Sequence, residues 1–367
     1  MRSLEPPAVV SRPKRTGRAC LREAGWNPHV RGQLEELLDD GAGRGLAVAL
    51  DFDNTLVAGD IGEATLAVLA RSGTLAIKNI AGHIAPDFQM PDGKRVRLRD
   101  CADVTVYYEA LVKGLPAREA EPAPLGNGYA WAVEVMESLS PHKVVEATRT
   151  AYEWEGDQIA PEASRADGTG YRVPRFYGEM VELVAELVRL DYDVWIVSAS
   201  NVWSVRWMVL NALNPLLRAR GCKRGLNADH VRGMACLLQD ASGRFEKDVV
   251  LVREDKAYAA LEERALKRFV LTSRFQFPLP MYSGKVAALW DAVGGAPYLA
   301  VGDSPGDQAM LEWSRHRLWI ARVEPRGSRA GFAKVAVGKN SRENSGKSAT
   351  LRQAACPSEG RFIATPF

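Results

Sequence analysis

The chain has little that would mark it as a secreted, thiolate-metal or membrane protein. Its five cysteines, Cys20, Cys101, Cys222, Cys236 and Cys356, are odd in number and widely spaced over 367 residues, with no Cys-x-x-Cys pair. That excludes a disulfide framework and a thiolate zinc site, and it is the usage expected of reduced thiols in a cytoplasmic compartment. Five histidines form no ligand pair. No run approaches the ~20 apolar residues a bilayer span requires, so no membrane association is expected. The net charge is only +3, too small for a general nucleic-acid binder. The first twenty residues are basic but carry no apolar segment, so no secretory signal is expected there.

What is present is an ordinary globular composition, 46% hydrophobic and 25% charged. The length suggests about two domains. Residues 1–45 read as an N-terminal extension, poorly ordered over 1–20 and then a short amphipathic helix in VRGQLEELLDD. LAVAL, residues 46–50, is a continuous apolar run, the pattern of a strand covered on both faces. Residues 61–171 hold helical periods in IGEATLAVLARSG, VTVYYEALVKG and YAWAVEVMESLSPHKVVEATRTAYEW, with the Pro-rich linker LPAREAEPAPLGNG between the last two.

Alternation of strand and helix returns at Arg175. Phe176, Met180, Val184, Leu187 and Val188 repeat with the helical period, and a buried strand follows at Val194 to Val197. NVWSVRWMVLNAL and SGKVAALWDAV read as helices, CLLQDASGRFEKDVVLV as a hairpin turning at Asp240 to Gly243, and PYLAVGDS and HRLWIARV as strands. Residues 326–350 are rich in Gly, Ser, Lys and Arg and are expected to be flexible, with GRFIATPF as a closing strand. The alternation predicts an α/β fold, a Rossmann-like core with a central parallel sheet over 46–60 and 172–325. The mostly helical insert over 61–171 follows the first strand, and 326–367 form a partly flexible tail.

The first strand runs into Asp51 and Asp53. Side chains alternate along an extended chain, so the two carboxylates share one side if the strand geometry persists. Such a pair repels, and a pKa rises, unless a cation sits between them. An Asp/Asn turn capping the next helix, with Asn54 and Thr55, accounts for the same residues without chemistry. The other strand ends decide. One carries Ser198, another Asp303 with Asp307 a turn later, and Lys285 opens a helix after Gly284. Ligands of doubly wound sheets bind beyond the carboxyl ends of the strands. Four acids, a hydroxyl and a lysine gathered there suit Mg²⁺ and a phosphate, since Mg²⁺ takes hard oxygen ligands. Asp51 and Asp303 are the expected ligands, with the backbone carbonyl of Asp53 a third. Asp51 is placed to attack phosphorus, and Asp53 to exchange protons with the leaving oxygen and the attacking water.

DFDNT, VWIVSAS, the Gly284-Lys285 pair and GDSPGD, in that order, resemble the four motifs of haloacid dehalogenase (HAD) superfamily phosphatases. The resemblance covers residues 46–325 and implies a HAD core with a helical C1-type cap in the insert. It implies Asp51 as nucleophile, Asp53 as acid/base, Ser198 and Lys285 as phosphate binders and Asp303 as a Mg²⁺ ligand. Asp307 either binds the metal through water or orients Lys285. The likeness extends to the phosphoserine phosphatase-like branch and especially to bacterial phosphorylcholine phosphatases, through FYGEMVELVAELVRLDYDVWIVSAS, QFPLPMYSGK and PYLAVGDSPGDQAML. Those relatives are commonly exported, and this chain departs from them there.

By the same resemblance a small phosphate ester is the expected partner, with Asn54, Thr55, Asp60, Glu63 and Ala199 beside it. Acidic residues there suit an amino- or quaternary-ammonium alcohol, namely phosphorylcholine, phosphoethanolamine or phosphoserine. Asp60 also reads as an N-cap with Glu63 as capping-box partner. Tyr107, Tyr108 and Trp131 form either an aromatic cage for the ammonium or helix-packing core. A phosphomutase of the same superfamily and a non-catalytic HAD-like binding or regulatory module are the alternatives. Nothing in the sequence chooses between monomer and homodimer.

Overall fold

The computed structural model describes residues 18–114, 128–159, 170–325, 332–334 and 350–364. Residues 115–127 of the expected linker, residues 1–17 of the stretch 1–20 expected to be poorly ordered, and most of the 326–350 segment lie outside the described residues; of the remainder, Ala19 is buried and Gly128 begins a helix.

The apolar runs do form a central sheet. Its strands are β1 (Ala47–Leu50), β2 (Asp193–Asn201), β3 (Val231–Met234), β4 (Leu299–Gly302), β5 (His316–Pro325), β6 (Leu351–Cys356) and β7 (Arg361–Ile363). They lie in the order β7-β6-β5-β4-β1-β2-β3, with Phe332–Lys334 added antiparallel on β5. Every pairing from β3 through β6 is parallel, while β7 and the Phe332–Lys334 strand run antiparallel to their neighbours. The order reverses at β1, where the chain goes first to one side and later to the other. That is the switch point at which doubly wound sheets open a crevice.

Alternation along the strands builds two cores. Val48 and Leu50 of β1, with Val194 and Ile196 of β2, face the helices Pro28–Gly41 and Gly178–Arg189. Ala49, Trp195 and Val197 face Leu289 of helix Gly284–Val293 and Met310 and Leu311 of helix Gln308–Trp313. The sheet is thus buried on both faces, the condition that made β1 readable as an uninterrupted apolar run.

Several expectations need correction. The segment before β1 is not an appendage. Trp26 is 2% exposed and stacks edge-on against Phe362, and the Asn27 amide donates to Gln353 Oε1 at 2.8 Å. In the tail the closing strand expected in GRFIATPF is present as β7, and β6, which was not expected, joins it to the sheet. The hairpin is real over Cys236–Asp240 and Phe245–Glu246, but its partner is Phe269–Phe275, and DVVLVRE forms the helix Asp248–Glu254.

The insert carries the helices Ile61–Arg71, Val104–Gly114, Gly128–Glu134 and Pro141–Tyr152. It is not wholly helical, since Phe88–Gln89 pairs with Arg95–Val96 and Gln158–Ile159 with Tyr171–Arg172. Buried hydroxyls tie it down, with Thr148 Oγ1 2.6 Å and Thr65 Oγ1 3.2 Å from Ser204 Oγ. Among the described residues, no helix is long and apolar enough to cross a membrane.

Candidate active site

β1 sits between β2 and β4, and the Asp51 amide continues its ladder by donating to the Val301 carbonyl at 2.9 Å. Asp51 therefore leaves the strand with its backbone fixed and its carboxylate in the crevice. The chain then turns sharply. Asn54 adopts φ 57°, a left-handed conformation that asparagine tolerates better than most residues. Val57–Ala58 returns against Arg175–Phe176.

Two glycines explain the motif spacing around the crevice. A Cβ on Gly302 would stand 2.5 Å from Asp307 Cβ. Its absence lets the turn Pro305–Asp307 fold back, so that Asp307 Oδ2 accepts from the amides of Asp303 and Ser304 at 3.2 and 3.0 Å. A Cβ on Gly284 would stand 1.9 Å from the Leu279 carbonyl oxygen. Glycine there permits the close approach that starts the helix and delivers Lys285.

Lys285 is 3% exposed, and its Nζ donates to Asp51 Oδ1 and to Asp307 Oδ1, both at 2.5 Å. Desolvation would lower the ammonium, but Asp307 and Asp51 outweigh it and hold it above its ordinary value. Asp307 is committed at both oxygens, so in this geometry it orients Lys285. Asp51 Oδ2 accepts from Thr55 Oγ1 at 2.8 Å, and the same hydroxyl lies 3.2 Å from Asp303 Oδ1. One hydroxyl proton cannot serve both acids at once. Burial, and next the charge of Asp307, push the Asp51 carboxyl up to about 6, against Lys285 and Thr55. Burial raises Asp303 as well, with Arg322 opposing and Asp51 adding to the rise.

Asp53 faces the other wall. Its Oδ1 accepts from the Ile61 amide at 2.7 Å, and its Oδ2 from Ser200 Oγ at 2.7 Å and Ser198 Oγ at 3.0 Å. Burial, then the charges of Asp60 and Asp51, raise its carboxyl well above the usual range. Ser198 is thus brought to the crevice but is hydrogen-bonded to Asp53.

Beyond Asp53 lies a cavity of about 20 Å³, lined by Asp60, Glu63, Tyr108, Tyr129, Ala199 and Ser200 among others. Asp60 is the N-cap of helix Ile61–Arg71 and accepts from the Glu63 amide at 2.9 Å. The Glu63 carboxylate accepts from Tyr108 Oη at 3.2 Å. The three-residue aromatic cage is not assembled. Tyr107 donates from its hydroxyl to the Pro86 carbonyl and Trp131 from its indole to the Ile84 carbonyl, and their rings pack at 4.8 Å inside the insert. Successive helical residues point about 100° apart, so Tyr107 and Tyr108 cannot share a face.

Three residues were not anticipated. Ser200 follows Ser198 by two positions along β2, and strand alternation could have found it. Tyr129 opens a helix of the insert, and Arg322 lies on β5 with its Nε 3.0 Å from Asp303 Oδ2. Neither has a signal in the sequence near the motifs.

The acids Asp51, Asp303 and Asp307 each offer an oxygen within 4.8 Å of the others. Asp303 is 3% exposed, and its Oδ2 has no hydrogen-bond donor in good geometry among the described residues. Hard, buried carboxylates in excess of the cations beside them fit a divalent cation such as Mg²⁺, although Asp303 Oδ2 is also ion-paired with Arg322.

No family model matches the chain, and no curated protein matches it. Among solved structures it is similar to a conserved protein of unknown function from Anaerococcus prevotii, at 17% identity, covering 96% of this chain and 98% of that one, with a TM-score of 0.58. A HAD family hydrolase from Salmonella enterica matches over 80% of this chain and 72% of its own, at 12% identity and a TM-score of 0.35. A phosphoserine phosphohydrolase-like protein from Francisella tularensis matches over 75% and 87%, at 13% identity and a TM-score of 0.33. At these identities the first likeness speaks for the fold, and the mixed α/β architecture with its mostly parallel sheet extends over nearly the whole of both chains.

Proposed function

We propose that the chain is a HAD-type, Mg²⁺-dependent phosphomonoester hydrolase acting through a phosphoaspartate on Asp51. The observation that carries this reading is Lys285 Nζ, buried and 2.5 Å from both Asp51 and Asp307 at the switch point of the sheet. A lysine held there neutralises a nucleophilic carboxylate only in part and leaves positive charge for an incoming phosphate.

In the proposed reaction an Asp51 oxygen attacks phosphorus and forms an acyl phosphate as the ester P–O bond breaks. The Asp53 carboxyl, whose hold on a proton burial strengthens, gives a proton to the departing alkoxide. Asp53, now a carboxylate, takes a proton from water as that water attacks phosphorus, and the P–O bond to Asp51 breaks to give inorganic phosphate. Ser200 and the Ile61 amide hold Asp53 in place. Lys285 keeps Asp51 ionised and oriented, and Asp307 holds Lys285. Asp51 and Asp303 would hold Mg²⁺, which when bound supplies charge that offsets the repulsion between carboxylate and phosphate.

For the substrate we favour an ammonium-bearing alcohol phosphate, phosphorylcholine, phosphoethanolamine or phosphoserine. Support comes from Asp60, Glu63, Tyr108 and Tyr129, which line one cavity next to Ser200 and hence next to Asp53. The test is a panel of phosphate esters assayed with and without Mg²⁺. Release of phosphate that needs Mg²⁺ and is fastest for ammonium esters is expected. Absence of turnover for every ester would overturn the hydrolase reading, and a preference for neutral sugar phosphates would overturn the substrate class alone.

A further inference from the structure

A second polar cavity lies away from Asp51, between the edge strand β3 and helix Gly284–Val293. It measures about 30 Å³, and its walls include Arg232, Gln276, Phe277, Pro278, Ala288 and Asp291. That volume admits a water-sized or small planar group, since one water needs roughly 10–15 Å³.

Arg232 is only 7% exposed, with its guanidinium 4.9 Å from the Trp195 ring. Its Nη1 donates to the Asp229 carbonyl. Its Nε and Nη2 have no hydrogen-bond partner among the described residues, and neither has Gln276 Oε1. Buried arginine donors left unpaired are costly, and nearly all such groups in folded proteins find an acceptor. Asp248, which also lines the cavity, does not supply one, because both its oxygens accept from Arg206 and one also from Tyr258. Asp291 stands exposed at the rim and Arg253 is exposed nearby. Burial, and next the charges of Arg253 and Arg206, lower Arg232 to about 10, with Asp248 and Asp291 opposing.

The mouth of the cavity opens on an aromatic shelf. Phe277 and Trp290 are each 62% exposed, and Trp290 pairs with Trp313 at 6.2 Å. Pro278 and Asp291 line both the cavity and the shelf. Aromatic surface this open beside a buried cation is unlike the rest of the described surface, and large exposed apolar groups that adjoin a pocket mark interaction sites.

We infer that this cavity is a binding site for a small organic carboxylate bearing an aromatic or apolar body. The carboxylate accepts from the Nε–Nη2 edge of Arg232, the geometry in which guanidinium and carboxylate pair bidentately. The body of the ligand lies on Phe277 and Trp290. Entry requires the side chains at the mouth to part, because the two free nitrogens are closed off from solvent. The site touches both halves of the catalytic scaffold. Ala288 and Asp291 belong to the helix that carries Lys285, and Val202 begins the helix after Ser200. The inference is independent of the phosphatase reading and stands whether or not Asp51 carries phosphate.

The test is titration of the full chain with benzoate, followed by calorimetry and tryptophan fluorescence, with acetate as the control that lacks a ring. Saturable benzoate binding, stronger than acetate, is expected in the parent protein. Arg232→Gln should weaken it roughly tenfold to a hundredfold, as loss of a hydrogen bond to a charged group does. Should Arg232→Gln fail to fold, Trp290→Ala carries the test, since that side chain is mostly in solvent. A fall in benzoate affinity with acetate unchanged supports the site. No saturable binding, or equal benzoate binding in the parent and the variant, overturns it and leaves the Arg232 donors to bridging water.

Discussion

Two buried ionic networks in this molecule look alike in composition and behave differently. Arg206 and Asp248, each 1% exposed at the side chain, form a matched pair, with Arg206 Nε alone left without a hydrogen-bond partner among the described residues. Both carboxylate oxygens meet guanidinium nitrogens, Tyr258 Oη donates to Asp248 at 2.7 Å, and Trp203 Nε1 donates to Tyr258 at 2.8 Å. The charges cancel. At the strand ends Asp51 and Asp307 meet Lys285, Asp303 shares the Thr55 hydroxyl with Asp51 and pairs with Arg322, and Asp53 faces the opposite wall. Here acid exceeds base, and three carboxyls are pushed up by burial. A balanced network keeps the fold unique. An unbalanced one is held at a cost to stability, and carboxyls perturbed in this way cluster at functional sites.

The sharpest way to break the comparison is to remove one acid from the unbalanced set. Asp51→Asn should lower turnover of the best ester by about 10⁴-fold or more, about 5.5 kcal/mol of barrier. The same change should leave the protein no less stable in urea, since it removes excess charge. Steady-state kinetics on homogeneous protein and a urea melt check both halves. Activity within tenfold of the parent would remove Asp51 as nucleophile.

The balanced set should respond in the opposite sense. Arg206→Met leaves Asp248 buried and uncompensated and should cost about 3–5 kcal/mol of stability. The turnover number of whatever remains folded should change little. Arg206→Met with Asp248→Leu should recover much of the loss, because a buried pair replaced as a pair is often neutral. A double variant as unstable as the single one would show that Tyr258 and Trp203 depend on the carboxylate itself.

How much of this contrast was legible in the sequence follows from where each residue sits. β1, Asp51, Asp53 and Lys285 could be read because a doubly buried strand leaves an unbroken apolar run, and the acids follow it directly. Asp60 as an N-cap was equally plain. Arg322 could not be read, because its meeting with Asp303 depends on β5 lying beside β4. Nor could the pairing of Leu351–Cys356 with β5, since LRQAAC is poor in β-branched residues. DVVLV misled because a short apolar run does not distinguish strand from buried helix. Tyr107 and Trp131 left cage and core both open, because an aromatic residue in a helix says nothing of which face it takes, and the structure shows core.

A smaller effect is the pH dependence of stability without metal. The folded carboxyl of Asp51 lies near 6, above its ordinary 3.8. The native state therefore binds more protons than the unfolded state between those values, and stability must fall as pH rises through that window. The stability is fully present below the ordinary value and is lost by the folded one. For Asp51 alone the loss amounts to up to about 3 kcal/mol, discounted by its coupling to the neighbouring acids. The Tm of chelator-treated protein, minus that of Asp51→Asn, should decline from pH 4 to pH 6.5. Mg²⁺ should raise Tm more at pH 7.5 than at pH 5, where protonated carboxyls compete with it. A Tm difference that rises with pH would contradict the unbalanced charge assigned to this network.

The smallest expected effect lies at Glu63, which shares one feature with Asp248: each accepts from a buried tyrosine hydroxyl. Asp248 has its cation inside the fold, in Arg206. On the proposed reading Glu63 receives a cation from the substrate, and Tyr108 fixes the carboxylate for it. Glu63→Gln keeps shape and the Tyr108 contact but removes the charge. A charge-assisted contact contributes about 1.5–3 kcal/mol, so KM for phosphorylcholine or phosphoethanolamine should rise about tenfold or more. The energy is available in the ground state as well as the transition state, so kcat should stay nearly constant. A neutral ester such as p-nitrophenyl phosphate should show no comparable change in KM. If both esters weaken alike, Glu63 serves the packing of Tyr108 rather than the substrate, and the analogy with Asp248 becomes a structural one. That outcome would leave Asp51 and Lys285 untouched, because the chemistry at the strand ends does not depend on which group departs.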